Sequence, residues 1–307
     1  MARYILKRIL GAIPTLFIIA TLTFFLIRIA PGGPFDQERQ VPAEILKNLN
    51  AKYHLDEPLF KQYLRYLGDL LQGDLGPSFV YSSRTVNEII AETFPVSAAI
   101  GFAGLLYALI VGTAFGVIAA SKPNSFRDYL PMTFSMIGIC LPSFVIGPIL
   151  VLYFSIELGW FNASGLNSLG DLILPSITLG TIYAAYFSRL ARGGILDIVR
   201  QDFIRTARAK GLPGWLIMLR HTLKGGMLPS ISFMGPAVTA MLSGSLVVET
   251  IFNIPGIGRF FVQSALNRDY TLVMGTVLFI ATLIILANLV VDIFYAFLDP
   301  RVSLDSN

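Results

Sequence analysis

Long apolar runs separated by short charged connections dominate this chain. A bilayer core of about 30 Å, climbed at about 1.5 Å per residue, takes about 20 mostly apolar residues per helix. Six stretches meet that requirement with differing quality: 9–29, 99–120, 130–156, 172–188, 229–250 and 272–298. The pattern predicts an all-α integral membrane protein with six transmembrane helices, whose even number puts both termini on one side. Pro131, Pro142, Pro148, Pro175 and Pro236 are expected to mark kinks or span ends, which membrane bundles tolerate where neighbours satisfy the freed carbonyls. The first run is longer than the apolar region of a cleaved signal, and no small-x-small site follows Arg28, so a retained first helix is expected.

The connection between the first two runs, 31–98, is long and mixed in charge, which predicts a small external helical subdomain. In it Asp56 is placed to cap a helix whose stripe is Leu59, Tyr63, Leu64, Leu67, Leu70 and Leu71, closed by Gly73. A second amphipathic stretch carries Val86, Ile89 and Ile90 and is expected to stop before Pro95. Both are expected to lie against the membrane or the tops of the spans. The layout is then 1–30 for the N-terminal segment and first span, 31–98 for the subdomain, and 99–298 for the five-helix core. The core includes a loop at 189–228, and a C-terminal tail follows at 299–307.

Composition agrees with a bilayer: 54% of the 307 residues are hydrophobic and 14% charged, with a mean hydropathy of +0.68, whereas soluble domains carry about 25% charge. A net charge of +4 and a pI near 9.2 raise the question of nucleic acid, but the placement of the basic residues answers it. Arg3, Lys7, Arg8 and Arg301 share a face with Lys122 and Arg127 and with the dense group Arg189, Arg192, Arg200, Arg205, Arg208, Lys210, Arg220 and Lys224. The connection at 157–171 has no Lys or Arg, and the one after the fifth run has only Arg259 and Arg268. The positive-inside bias therefore puts both termini in the cytoplasm, and membrane topology rather than a nucleic acid explains the charge. The single cysteine, Cys140, lies in an apolar run and can form no internal disulfide.

The chain has no G-x-x-x-x-G-K-[ST] phosphate cradle, no HExxH, no CxxC pair and no GxSxG elbow. His54 and His221 fall on opposite sides of the predicted membrane and cannot share a metal ion; Asp69 and Asp74, bracketing Gly73, read as capping groups. The fourth and fifth runs carry Ser176, Thr178, Gly180, Thr181, Thr239, Ser243, Gly244 and Ser245, small and hydroxylated residues that let helices approach closely. Of these Thr178, Thr181, Thr239, Ser243 and Ser245 are the candidates for lining a pathway. An ionisable group in a bilayer is costly unless it is partnered, so Asp292, beside Asn288 near the end of the last run, reads either as an ion-coupling or proton site or, the favoured reading, as a structural carboxylate paired with a cytoplasmic arginine or held by hydrogen bonds. Energy for any transport must come from a gradient or from another subunit; an intramembrane enzyme would need a convergent polar cluster that the sequence does not display.

The segment Asp202 to Pro213, DFIRTARAKGLP, favours another subunit. Ile204, Ala207 and Arg208 fall on one helical face, Gly211 stands at a left-handed terminus and Pro213 ends the helix. Small Ala207 and Ala209 can enter a groove, while Arg205, Arg208 and Lys210 can meet acidic rims.

At these residues the chain resembles the membrane-spanning permease subunits of binding-protein-dependent ABC importers, in the peptide branch and nearest to the oligopeptide-permease B subunits. That superfamily carries a Glu-Ala-Ala motif with Gly after three more residues. Here Arg205, Thr206, Ala207 and Gly211 align with it, while His221, Thr222, Leu223 and Lys224 align with a downstream Ile-x-Leu-Pro and retain only its Leu. RTARAKGLP nevertheless looks like the peptide branch, as do KYHLDEPLFKQYLRYL, GDLGPSF, ETIFNIPGIGRFF, ALNRDY and VDIFYAFLDPR, in that order along nearly the whole chain.

The resemblance implies a type I ABC importer permease in a bacterial inner membrane. Arg205, Thr206, Ala207, Arg208, Ala209, Lys210, Gly211, Leu212 and Pro213 would form the ATPase-coupling helix. It also implies a homologous permease partner (OppC-like), two ABC ATPases (OppD-like and OppF-like) and an external solute-binding protein (OppA-like). ATP and Mg would be bound by the ATPases and no cofactor by this chain. The cargo stays open among oligopeptide, dipeptide, nickel, glutathione and antimicrobial-peptide variants.

Overall fold

The computed structural model describes residues 2–29, 50–81 and 83–298. The expected tail at 299–307 lies outside them, as does most of the first half of the external connection. The described residues are helical apart from connections and one isolated antiparallel bridge, Pro77 to Thr85. Among the described residues four helices are long and apolar enough to cross a membrane, and two bent helix pairs raise the number to six if each pair is one span. The chain divides into two compact units, 1–96 with 255–286, and 97–254 with 287–306.

In the first unit α1 is Ala2–Ile29 and α2 is Leu59–Leu71. Tyr63 of α2 reaches back to α1, its hydroxyl 2.7 Å from Thr21 Oγ1 and its ring 5.2 Å from that of Phe24. Phe24, Tyr63 and Met274 form a buried cluster, flanked by Ile27, Tyr66 and Leu67. Burial lifts the Tyr66 phenol above its ordinary range. Only part of the predicted stripe is used in this packing, since Leu59, Leu64 and Leu71 remain 53%, 52% and 90% exposed. Asp56 does not cap α2: Pro58 occupies that position, φ −54° and ψ 140°, and its carbonyl takes the Lys61 amide at 2.8 Å. Gly73 ends the helix as expected, at φ +76°.

The stretch at Val86 does not stop at Pro95. It continues as α3, Val86–Ser121, with Pro95 inside it. Val86, Ile89 and Ile90 are buried against Ile257 and Leu272, and this packing outweighs the helix-ending preference of the residue before a proline. The rest of this unit is α9, Ile257–Leu266, and the first part of α10, Tyr270–Leu298.

The second unit is built on α6, Ile173–Val199, which follows a short 3-10 turn at Leu169–Leu172. Small residues four apart on α3, namely Gly104, Ala108, Gly112 and Gly116, are all buried. A Cβ on Gly112 would lie 2.6 Å from the Ala184 carbonyl oxygen and from Phe187 Cβ; one on Gly180 would lie 2.5 Å from the Gly104 carbonyl oxygen. The backbones of α3 and α6 therefore touch, running in the same direction, as small-xxx-small seams allow in lipid. Helix α4, Phe126–Cys140, runs antiparallel to α6 on another face.

The predicted span 130–156 is broken at Pro142, one of the prolines expected to mark a kink or span end. Leu141 turns extended, φ −91° and ψ 119°, because Pro142 disfavours a helical residue before it. The chain resumes as α5, Ser143–Leu150, and a π-helical turn, Val151–Glu157, at 107° to α4. Likewise α6 does not stop at Ser188 but carries Arg189 and Arg192 on to Val199. After α7, Asp202–Ala209, short turns at Gly214–Leu216, Ile217–Thr222 and Leu223–Gly226 lead into α8, Leu228–Ile251. Rings of Tyr186 and Phe187 each lie 5.5 Å from Phe233, joining α6 to α8.

Candidate functional site

The basic segment folds as a short helix held from beneath. Ile204 is 0% and Ala207 7% exposed, and with Ile217 they form an apolar cluster against Ile198 and Leu212. The C-terminus is closed by paired bonds, Leu212 N–H to Ala207 O at 3.3 Å and Gly211 N–H to Arg208 O at 2.9 Å, with Gly211 at φ +78°. This is the Schellman arrangement, in which the residue after Gly packs back onto the helix. Pro213 then starts the next turn, its carbonyl accepting the amides of Leu216 at 3.0 Å and Ile217 at 3.1 Å.

The outward face consists of Arg205, Thr206, Arg208, Ala209, Lys210, Gly211 and Pro213, all exposed, with Leu212 half-buried. Asp202 opens the helix and pairs with Arg205 at 3.3 Å; Arg208 sits in the last turn, so both charges suit the helix dipole. Two details differ from the sequence expectation. Ala207 is spent inside this chain and cannot enter an outside groove, which leaves Ala209. Arg208 lies on the rim of the buried face rather than in it.

The candidate pathway residues are scattered in burial. Thr178 is 0% exposed and donates to the Leu174 carbonyl at 2.8 Å; Thr181 is half-buried and donates to Ile177 at 2.6 Å. Ser245 is 2% exposed. Thr239 donates to Asn288 Oδ1 at 3.1 Å, so Asn288 meets α8 through Thr239. The side chains of Ser243 and Asp292 lie outside those described.

Charged contacts that the sequence reading missed organise both units. Arg192 grips Asp128 with two bonds, Nε to Oδ1 at 2.6 Å and Nη2 to Oδ2 at 2.7 Å, and the Asn124 amide adds a third at 2.9 Å. Asp128 is 2% exposed. Further along the same two helices, Ser135 and Ser188 hydroxyls meet at 2.7 Å. The signal was a lone acid in a basic connection, three residues after Ser125, the residue that precedes the helix.

In the other unit Asp269, 0% exposed, accepts from the Ser78 hydroxyl, the amides of Phe79, Val80 and Leu272 at 3.2 Å each, and the Thr271 hydroxyl at 3.1 Å. GDLGPSF and ALNRDY, far apart in sequence, are thus welded together. An Asp just before an apolar helix is the cue that could have found it. The third connection is held in the same way: Asp171 accepts from Asn162 Nδ2 and the Asn167 amide at 2.8 Å and the Ser168 amide at 2.9 Å. No group of three or more metal-ligating side chains occurs among the described residues.

Comparison with known proteins fits this arrangement. Residues 112–304 match the family of binding-protein-dependent transport system inner membrane components, and residues 1–101 match the N-terminal part of such membrane components. The chain is 49% identical to the oligopeptide transport system permease protein OppB of Salmonella typhimurium and 47% identical to that of Haemophilus influenzae. Each match covers 98% of this chain and 99% of the relative. Its fold is that of a chain in inward-facing structures of the MetNI methionine ABC transporter, with a TM-score of 0.56 at 14% identity, covering 69% of this chain and 96% of that one. The chain belongs to the family of inner-membrane components of binding-protein-dependent transport systems.

Proposed function

We propose that this chain is the permease subunit of an ATP-driven, binding-protein-dependent importer of peptides, oligopeptides first, and that it forms half of the translocation pathway. Its other half is a homologous permease subunit; two cytoplasmic ABC ATPases bind ATP and Mg, and an external solute-binding protein delivers the cargo. The chain itself catalyses nothing. It sits in the inner membrane with both termini in the cytoplasm, and Thr181, Thr239 and the neighbouring small residues of α6 and α8 face the route.

The observation that carries this reading is near-half identity to oligopeptide permease subunits over 98% of the chain. The geometry supplies a mechanism. The 205–213 segment offers an exposed cationic edge for an ATPase, while Ile204 and Ala207 anchor it to the end of α6 through Ile198. Closure of the ATPases on ATP displaces this segment and with it α6, and the bundle changes the side to which its path opens, a rigid-body switch.

Proteoliposomes decide between this and a gradient-driven carrier. Labelled oligopeptide should enter only when both permease subunits, both ATPases, the binding protein and ATP are present. Uptake by this chain alone, following an ion gradient, would overturn the reading. In the full complex Gly211→Glu should leave assembly intact and separate ATP hydrolysis from uptake; normal uptake by that variant would remove the docking role.

A further inference from the structure

The Asp128–Arg192 pair is built more tightly than a topology-setting charge needs to be. Its two bonds are parallel and short, Asp128 is almost wholly buried, and the carboxylate lies in the first turn of α4, where the helix dipole favours it. The pair heads a ladder between α4 and α6 that continues through Ser135 and Ser188 at 2.7 Å and then Gly138, where a Cβ would stand 3.0 Å from Thr181 Cγ2. The ladder ends where α4 does, and the chain beyond it turns by 107° after Leu141. At the opposite end α6 continues from Arg192 to Val199 and, through Ile198, into the cluster that seats α7.

We infer that Asp128 and Arg192 are a positioning pair for coupling: they make α4 travel with α6 as one lever when the 202–213 segment is displaced. Neither residue touches cargo or nucleotide. The inference rests on the proposed ATP-driven reading, and it assigns a transmission role to two residues outside both the docking segment and the pathway.

The test uses the complete complex in proteoliposomes, with Cys140→Ser as background, and reads peptide taken up per ATP hydrolysed. Arg192→Ala should keep assembly and ATP hydrolysis but lower that ratio roughly tenfold, within the usual size of site-to-site coupling. Arg192→Lys, which keeps one charged bond, should fall between. Ser135→Cys with Ser188→Cys supplies a covalent fastener; oxidised, it should leave uptake by an otherwise unaltered complex intact and restore the ratio in Arg192→Ala. If the oxidised pair instead blocks uptake, α4 and α6 slide past one another and the inference is wrong. It is equally wrong if Arg192→Ala reduces yield and thermal stability while the ratio stays put, which is what a purely structural pair would do. Failure of the unaltered complex to couple uptake to ATP at all would count against the importer reading instead, so the two failures are distinguishable.

Discussion

Replacing Asp269 with Ala should release the 78–81 turn from the start of α10. The carboxylate is the shared acceptor for the amides of Phe79, Val80 and Leu272, and it also takes the hydroxyls of Ser78 and Thr271. Thr271 keeps a partner, since it donates to the Pro77 carbonyl at 2.6 Å, and the Val80 amide keeps a weaker contact to Ser78 Oγ at 3.3 Å. A buried donor that loses its acceptor costs about 1–3 kcal/mol, and water entering the vacated space offsets part of that. The local loss should come to about 3–4 kcal/mol for the group as a whole. At about 1.4 kcal/mol per tenfold, amides 78–81 should lose at least about 100-fold in protection from hydrogen exchange. Measurement by mass spectrometry on the detergent-solubilised complex, with peptides covering 73–85 and the α6 core as internal reference, resolves such a change. Asp269→Asn should fall between, because its oxygen can still accept from the Phe79 and Leu272 amides while its nitrogen points a donor at the Val80 amide. If exchange at 78–81 stays within about threefold of the unaltered protein while other peptides are equally unchanged, the carboxylate does not hold that turn and the reasoning from burial and bond count fails.

Other substitutions test other parts. Gly211 has open space around it, so only its positive φ resists a side chain; Gly211→Ala should cost about 1 kcal/mol and Gly211→Asn less, read from exchange at 207–213. Gly112→Val should cost about 1–3 kcal/mol or prevent assembly, because its first carbon would collide with the backbone of Ala184, and lower thermal stability in nanodiscs would report it. Glu57 carries a pH prediction. Desolvation would raise its carboxyl, but the bond from Lys61 at 3.2 Å, with Arg65 at 3.0 Å and His54 at 3.6 Å, outweighs it and leaves the group below the usual carboxylate range. Its contribution is therefore whole above the unfolded value of about 4.3 and lost as pH falls through the folded one, and Glu57→Gln should flatten the stability of the 50–72 region between pH 5 and 3 by exchange or proteolysis.

The apolar runs made the spans legible, because lipid leaves the backbone few options and length alone then selects helices. Gly73 and Gly211 were legible as helix ends for the same local reason: each sits where a left-handed residue is needed. Punctuation by proline held at Pro142 and failed elsewhere. Pro95 and Pro131 pass inside helices, yet Pro142 breaks one through a right angle, and nothing local distinguishes them. Neighbours decide: Val86, Ile89 and Ile90 are buried along the turns before Pro95, whereas Leu141 and Pro142 lead out of the α4–α6 ladder. The polar contacts Asp128–Arg192 and Ser78–Asp269 were illegible as pairs because their members are 64 and 191 residues apart, and a sequence shows a charge without its partner.

The seam between α3 and α6 has a consequence for register. Its small residues recur every four positions on α3, at 104, 108, 112 and 116, and again on α6 at Gly180, Ala184 and Ser188. A slip of one helical turn would set small upon small again, so the groove that permits such intimate contact says little about which rung is correct. The choice must be made by bulkier or charged neighbours at its margins, Tyr107 beside Gly180 and Phe187 beside Gly112 among them. Trimming either ring should leave the two helices just as close, but free to dock one step out of place.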